Sequence, residues 1–491
     1  MATLTLAERE ATSPASSGRD RRWLGLAVIA TAQLMIALDA TVVNIALPSA
    51  QASLGFADSD RQWVVTAYTL ALGGLLLLGG RIADSVAVGR RRALVIGLVG
   101  FAAASALSGA AASLGMLVGA RALQGAFAAL LAPTALSTLA LMFTEPRDRA
   151  RAFGIYGAIA ASGGALGLLL GGLLTQYLSW RWCLYLNVPI ALVAAFGARA
   201  VLPDSRPAVA QGGPTGSGRF DLLGLVLGSG GLVAIVLGCG QAARLGWSAT
   251  PVLLLFAVGT LALCLFVWRE ATAEAPLLPL GIVLDRQRGA AYASALLAAA
   301  GMFGAFLFLT YTLQVGMGFT PLHAGLAFLP MTASSVVAGT LVAPRLLPRV
   351  APRVLMVTGF LLAACGMALL TRLQAGSDYP TGVLPAEILL GLGIASVMVP
   401  ASQLATSRVD RRTAGIASAT LNSAQQVGAS LGTTVLNTVA ATATAAFLAS
   451  SSAATSAEGL VHGYAAAAFW GALVLLVGAA VALSLPLHAS R

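Results

Sequence analysis

Apolar windows of about 20 residues, the length needed to cross the hydrocarbon layer of a bilayer, recur along the whole chain. They lie near 23–47, 64–83, 93–113, 116–142, 152–176, 183–202, 222–240, 250–268, 289–311, 323–343, 354–371, 382–404, 414–437 and 461–485. In hydrocarbon every backbone polar group must be satisfied internally, which a helix does within one segment. The pattern therefore predicts an all-α polytopic membrane protein with 14 transmembrane helices. Composition agrees: 58% of the 491 residues are hydrophobic and 10% charged, too little charge to cover a soluble surface of this size. Residues 1–22 are polar and contain Glu8, Glu10 and Asp20, and the apolar run from Trp23 to Pro48 exceeds the roughly 7–15 residues of a secretion-signal core. The first window is thus expected to be a retained helix.

The formal net charge of +11 could suggest nucleic acid, but arginine placement accounts for it. All 29 basic residues are Arg, which reads as the signature of a GC-rich genome. With the N-terminus in the cytoplasm, 24 arginines fall in cytoplasmic segments and four (Arg61, Arg181, Arg244, Arg372) in outer loops, leaving Arg121 inside a helix. That asymmetry follows the positive-inside rule, so a bilayer is the expected partner and nucleic acid is not. Cys183, Cys239, Cys264 and Cys365 sit in apolar segments without metal-type spacing, and His323, His462 and His488 are scattered. No metal site, disulfide or cofactor is expected.

The chain also repeats itself. Asp148-Arg149 begins the fifth helix, with Gly154, Gly167 and Gly171 following; Asp410-Arg411 begins the thirteenth, with Gly415, Gly428 and Gly432 at the same intervals. "RALQG" from Arg121 aligns likewise with "EILLG" from Glu387. Helices one to six thus read as duplicated in nine to fourteen, a parallel repeat of the kind that places a substrate site near mid-membrane. The expected organisation is a cytoplasmic tail (1–22), an N-terminal six-helix bundle (23–202), a cytoplasmic linker with two inserted helices (203–288), a C-terminal six-helix bundle (289–485) and a short cytoplasmic tail (486–491).

Five stretches carry specific chemistry. They are "LDATVVNIALP" in helix one, Gly80-Arg81-Ile82-Ala83-Asp84 with Gly89-Arg90-Arg91-Arg92 after helix two, and "RALQG" in helix four. Helix five carries Gly154, Gly163, Gly167, Gly171 and Gly172, and "WRWCLYLNVP" opens helix six. As an ordered set these resemble the fourteen-helix drug/proton antiporters of the major facilitator superfamily, the EmrB/QacA type. The resemblance spans essentially all of Trp23 to Pro486. It implies the major facilitator fold, two six-helix bundles plus two extra helices between them. It also implies an antiporter motif in the helix-five glycines and a coupling role for Arg121. Two departures stand out: Leu168 occupies a position where the family usually has Pro, and four residues rather than two separate Asp84 from Gly89. The first weakens any inference of a fixed kink, and the second suggests that the loop arginines dock differently.

Asp39 costs roughly 2.5–3.5 kcal/mol at a helix centre, so it should face a cavity or a partner. A neutralised carboxylic acid is the inexpensive way to bury it, which suits a proton-coupling role; a structural carboxylate bonded between helices is the alternative. A guanidinium stays charged when buried, so Arg121 could modulate such an acid without losing its own proton. Glu387 is the pseudo-symmetric counterpart of Arg121 and a candidate second acid, near the outer end of helix twelve. Gly80, Asp84 and Arg90 to Arg92 are expected to form a conformational latch, with a solvated topology signal as the alternative for the arginines. Candidate substrate-cavity residues are Gln33, Asn44, Gln124, Phe303, Tyr311, Gln314, Gln403, Asn422, Gln425 and Gln426. Helical geometry puts Gln33 and Asn44 on one face and Asp39 about a third of a turn away, so all three should not enter one cavity.

The expected function is proton-coupled efflux of small lipophilic compounds, neutral or monocationic, by alternating access. Asp39 would release its proton in the inward state and regain one from outside. A functional monomer in the bacterial cytoplasmic membrane, with both termini cytoplasmic, is expected. A dedicated exporter of one metabolite, lipid or antibiotic is the alternative within the transporter class. An integral-membrane enzyme is a remote one, since no nucleophile or metal constellation is present and no Walker-type loop implies ATP.

Overall fold

The structure is a computed structural model that describes residues 15–84, 88–143, 145–202, 221–273, 278, 280–374, 377–406, 414–450 and 456–485. Among these no strand occurs, and every expected window falls on a helix. In chain order the first six are α1 (Ala15–Leu54), α2 (Gln62–Asp84), α3 (Arg90–Gly109), α4 (Leu114–Met142), α5 (Pro146–Tyr177) and α6 (Trp180–Val201). There follow α7 (Leu222–Leu245), α8 (Thr250–Thr272), α9 (Arg286–Gly316), α10 (Pro321–Leu346), α11 (Pro352–Leu370), α12 (Tyr379–Ala405), α13 (Ala414–Ser450) and α14 (Ser456–Leu483). Twelve of the described helices are long and apolar enough to cross a membrane; α2 and α5 complete the order as helices of 23 and 32 residues. The linker residues 203–220 and the tail 486–491 lie outside the described residues.

Local chemistry sets the helix starts. The side chains of Ser113, Asp221 and Thr320 accept backbone N–H bonds that would otherwise be orphaned at α4, α7 and α10. Asp285 does the same for α9, where the Arg288 backbone N–H donates at 3.0 Å and holds the carboxyl below its usual range. Gly89, before α3, has φ of 72°, a left-handed conformation that explains a glycine ahead of the three arginines.

The repeat seen in the sequence is a repeat of contacts. In the N-terminal half α5 lies on α1: a Cβ at Gly167 would sit 2.9 Å from the Leu38 carbonyl oxygen, and one at Gly171 2.9 Å from that of Val42. In the C-terminal half α13 lies on α9 the same way, with Gly428 against the Leu296 carbonyl and Gly432 against that of Ala300. The second pair behaves alike. Gly125 of α4 meets the backbone of α2 at Tyr68, and Gly391 of α12 meets the backbone of α10 at Met331. Small residues let backbones approach where no hydrophobic force drives helices together. Leu168 is buried, its carbonyl is backed by Gly325 of α10, and α5 continues unbroken past it.

The inserted pair packs through Gly231 and Gly259, and α7 bridges both halves: Ser229 donates to the Gly74 carbonyl of α2, and Thr438 of α13 donates to that of Cys239. The outer face of α8 exposes Leu254, Leu261 and Trp268, each about 60% accessible (59%, 61% and 64%), the surface of a helix that meets lipid.

Gly432→Val tests the seam. The added methyls have backbone on the opposing side, so overpacking should cost about 1–3 kcal/mol and lower the melting temperature in detergent. Gly119→Val, at a position with nothing within 4 Å of a built Cβ, should leave it unchanged.

Candidate functional site

Asp39 is fully buried in the N-terminal half, and everything that touches its carboxylate donates. Arg121 reaches Oδ2 at 2.6 Å, while Gln124 and Asn187 donate to Oδ1 at 3.1 and 2.7 Å. Helix α1 supplies the acid, one face of α4 supplies Arg121 and Gln124 three residues apart, and the start of α6 supplies Asn187. The donors are themselves fixed. Arg121 Nε donates to the Val64 carbonyl at 3.2 Å, the same Nη1 that reaches Asp39 also donates to Gln124 Oε1 at 3.1 Å, and the guanidinium lies 4.4 Å from the centre of the Tyr68 ring. Gln124 is held by Ser105 and Ser108 of α3.

An acceptor-only setting with three donors fits an ionised carboxylate. A protonated Asp39 would turn one acceptor into a donor facing donors, breaking a contact to α4 or α6. Asn187 is the member able to answer: its Oδ1 is buried and has no hydrogen-bond partner. Turning the amide over would present that oxygen to a protonated Asp39. Gln124 cannot turn in this way, because both ends of its amide are engaged.

A second polar cluster joins the two halves at the end of the molecule poor in arginine. Arg61, in the turn directly before α2, is 2% exposed. Its Nε donates to Asn437 Oδ1 of α13 at 2.8 Å, and a second nitrogen donates to the Tyr464 hydroxyl of α14 at 3.0 Å. The guanidinium lies 4.0 Å over the Tyr311 ring of α9, and Asp58 stands 3.8 Å away. Tyr311 donates to Gln51 of α1, Gln314 to the Ile45 carbonyl, Asn437 to Gln62, and Thr66 pairs with Thr434. Further toward mid-height Ser423 of α13 donates to the Gly73 carbonyl of α2. The halves are therefore shut against each other at the arginine-poor end.

Several sequence expectations change here. Arg61 does lie in the turn before α2, but it is buried rather than solvated, to about the same extent as Arg121, so Arg121 is not the sole buried arginine. Gln124 lines no gap but belongs to the Asp39 network, and Tyr311 and Gln314 belong to the closure. Asn44 is buried and donates to the Ala40 carbonyl of its own helix. Gln33 accepts from the Tyr156 hydroxyl of α5 at 2.5 Å, so Gln33, Asp39 and Asn44 do point apart. Gln403 is exposed near the end of α12. Phe303, Asn422, Gln425 and Gln426 are half-buried, with Gln425 reaching Met398 and Gln426 against Gly73.

Of the helix-five glycines, Gly163 meets Ala37 and Gly172 meets the Pro321 carbonyl of α10, while the surroundings of Gly154 lie outside those described. In the cytoplasmic loop, Gly80 rests on Pro133, Arg91 donates to the Leu202 carbonyl that ends α6, and Arg92 is exposed. Arg90 is half-buried, and the side chain of Asp84 lies outside those described. Residues that sequence reasoning passed over are Asn187, Ser105, Ser108 and Tyr68 around Asp39, and Asn437 and Tyr464 around Arg61. Asn187 alone carried a signal, as a polar residue inside the "LYLNVP" motif. No group of three His, Cys, Asp or Glu side chains suited to a metal occurs among the described residues.

Residues 29–433 match the Major Facilitator Superfamily model. The chain is 52% identical over 475 residues to the puromycin resistance protein pur8 of Streptomyces alboniger, covering 96% of this chain and 92% of that protein. It is 40% identical to the cephamycin export protein CmcT of Amycolatopsis lactamdurans, over 84% of each chain. It is 33% identical to the multidrug efflux pump LfrA of Mycolicibacterium smegmatis, covering 85% and 81%. Among solved structures, the POT family transporter PepTSo superposes with a TM-score of 0.66 at 15% identity, covering 94% of this chain and 98% of that one, a likeness of fold. With the duplicated glycine seams and the buried Asp39–Arg121 pair, these matches establish that the chain belongs to the major facilitator superfamily.

Proposed function

We propose that this protein exports small lipophilic, antibiotic-type compounds from the cell in exchange for protons. The observation that carries the reading is Asp39, an acid inside a membrane bundle whose three partners distinguish its ionised from its protonated form. The relatives, named for resistance to or export of antibiotics, supply the direction and the substrate class. The arginine-rich end is the cytoplasmic one, the fourteen helices cross the bacterial cytoplasmic membrane, and both termini are cytoplasmic. The protein works as a monomer, without nucleic acid or cofactor, and as a transporter rather than an enzyme.

In this reading the structure corresponds to the form closed to the outside with Asp39 ionised, ready to load substrate from the cytoplasm. Opening to the outside releases the substrate and exposes Asp39 to proton uptake. Protonation unseats one donor from α4 or α6, and that difference in contacts biases the return. Asp84 and Arg90 to Arg92 act at the cytoplasmic ends as the opposite latch. Proteoliposomes with an imposed pH gradient test the reading, with puromycin as the first compound. Compound should move against its gradient, without covalent change, only while the pH difference lasts; movement indifferent to the gradient overturns proton exchange. Relatives named for a single antibiotic favour a second reading, a narrow exporter, and a panel of unrelated lipophilic compounds separates the two.

Asn187→Leu removes one hydrogen bond to a charged group, worth about 1.5–3 kcal/mol. It should lower the melting temperature in detergent and cut gradient-driven transport about 10-fold, the factor that corresponds to 1.4 kcal/mol.

A further inference from the structure

The C-terminal half contains a buried acid that the Asp39 mechanism does not use. Glu387 lies in the first turns of α12 and has no exposed surface. The wide π-type turn Tyr379–Val383 that opens this helix folds Tyr379 back over it. The Tyr379 hydroxyl is 3.1 Å from Glu387 Oε2 and 2.7 Å from the Ala327 carbonyl oxygen of α10. That hydroxyl has one hydrogen, and a backbone carbonyl can only accept. The two contacts therefore compete for that hydrogen, and with an ionised Glu387 one of them is left without a proton. A protonated Glu387 satisfies both, donating from Oε2 to the tyrosine oxygen while the tyrosine hydrogen goes to Ala327. Its Oε1 is buried with no hydrogen-bond partner, a setting that a neutral acid tolerates far better than a carboxylate.

The surroundings fit the same reading. Of the helices packed on α12, α13 carries no charged residue. The cations Arg286 and Arg288 of α9, Arg345 of α10 and Arg353 of α11 all belong to the arginine-rich end, the far end from Glu387. Tyr292 of α9 lies toward that end too, Tyr311 is engaged with Gln51 and Arg61, and Cys365 of α11 is exposed. Toward the arginine-poor surface stand the half-buried Tyr379, the exposed Asp378 and the exposed cation Arg372, which follows α11. Exposed His323 of α10 is linked to Tyr379 by way of the Phe319 ring, with centroids 6.4 and 6.1 Å apart. In the other direction, one turn along α12 from Glu387, Leu390 and Gly391 border a small cavity closed by Met302, Met331 and Ser335.

We propose that Glu387 is a second proton-binding site, which exchanges its proton with the arginine-poor side through the Tyr379 hydroxyl. The proton adds to Oε2 of the carboxylate, with water on that side as its source and acceptor, and no other bond changes. The site stands on the geometry above. Its consequence, one proton beyond the Asp39 proton in each cycle, rests on the proton-coupled export proposed here.

Infrared difference spectroscopy of the purified protein, titrated from about pH 5 to pH 10 to span the range of buried carboxyls, reads the site directly. Wild-type protein should show a carboxylic-acid carbonyl band that disappears as pH rises. Glu387→Gln should remove that band and Asp39→Asn should keep it. Tyr379→Phe should keep the band but move its frequency, because the acid loses its acceptor. If Glu387→Gln removes no such band, or the band persists unchanged across the whole range, Glu387 is not a proton-exchange site. An unmoved band in Tyr379→Phe overturns the route through the hydroxyl. In proteoliposomes Glu387→Gln should lower the proton-to-substrate ratio by one. If Asp39→Asn leaves transport coupled, the Asp39 mechanism fails while the Glu387 band still decides the second site.

Discussion

Asp39→Asn is expected to cut accumulation driven by a pH gradient by about 100-fold, while downhill exchange of the same compound stays within a few-fold of wild type. Coupling free energies of about 1–3 kcal/mol correspond to roughly 5- to 150-fold, and removing the exchangeable proton removes the whole of this site's share. The substitution keeps the side chain's shape. Its amide turns one end into a donor, and the unpartnered Asn187 Oδ1 is in place to accept from it, so the bundle should stay folded. The variant thus mimics a permanently protonated Asp39. Arg121→Ala is a poorer probe. It strands the carboxylate without its cation, a loss of about 3–5 kcal/mol for a buried pair, and misfolding would mask the coupling defect. Parallel measurement of gradient-driven and downhill flux in proteoliposomes decides the matter. A variant that still accumulates compound as wild type does would show that the proton is exchanged elsewhere.

The fold was legible in the sequence because each of its determinants is local. Hydrophobic windows of fixed length, arginine asymmetry and glycines at matched intervals survive as one-dimensional patterns. The glycine seams of α5 on α1 and of α13 on α9 show why: the close backbone approach permits only a glycine at those positions. The site was legible in part. An acid and an arginine within apolar windows stand out, but their 2.6 Å contact depends on how α1 and α4 face each other, which spacing along each helix does not determine. Gln124 shows the limit clearly. Its place one turn from Arg121 suited a cavity as well as a network, and only the serines of α3 decide for the network. Arg61 escaped altogether. It sits at a helix start beside Asp58 and Asp60, where a solvated loop arginine looks the same, and its partners Asn437 and Tyr464 are some 400 residues away.

Arg61→Ala is expected to open the arginine-poor end. The guanidinium touches three helices of the opposite half at once: it donates to Asn437 and Tyr464 and lies on the Tyr311 ring. Hydrogen bonds to charged groups are worth about 1.5–3 kcal/mol and a desolvated cation–π contact about 2 kcal/mol. Water reaching the opened cluster recovers part of this, so a net shift of about 2–4 kcal/mol, or roughly 30- to 1,000-fold in population, is expected toward the outward-open form. Asp58, 3.8 Å from the guanidinium and itself about half exposed (52%), adds little, so Asp58→Asn should change the equilibrium far less. Arg61→Lys should fall between, because an ammonium cannot present a planar fork to two acceptors while lying flat on an aromatic ring. Spin labels on the arginine-poor ends of α2 and α14, read by pulsed dipolar spectroscopy, report the separation directly. The distance distribution should move to longer values in Arg61→Ala and barely move in Asp58→Asn. Such a protein would bind substrate poorly from the cytoplasm while leaving Asp39 open to protons, so transport should fall even though both coupling residues are intact. An unchanged distribution would mean that the α5–α10 glycine contact at Gly172 and Gly325 holds that end shut without the cation.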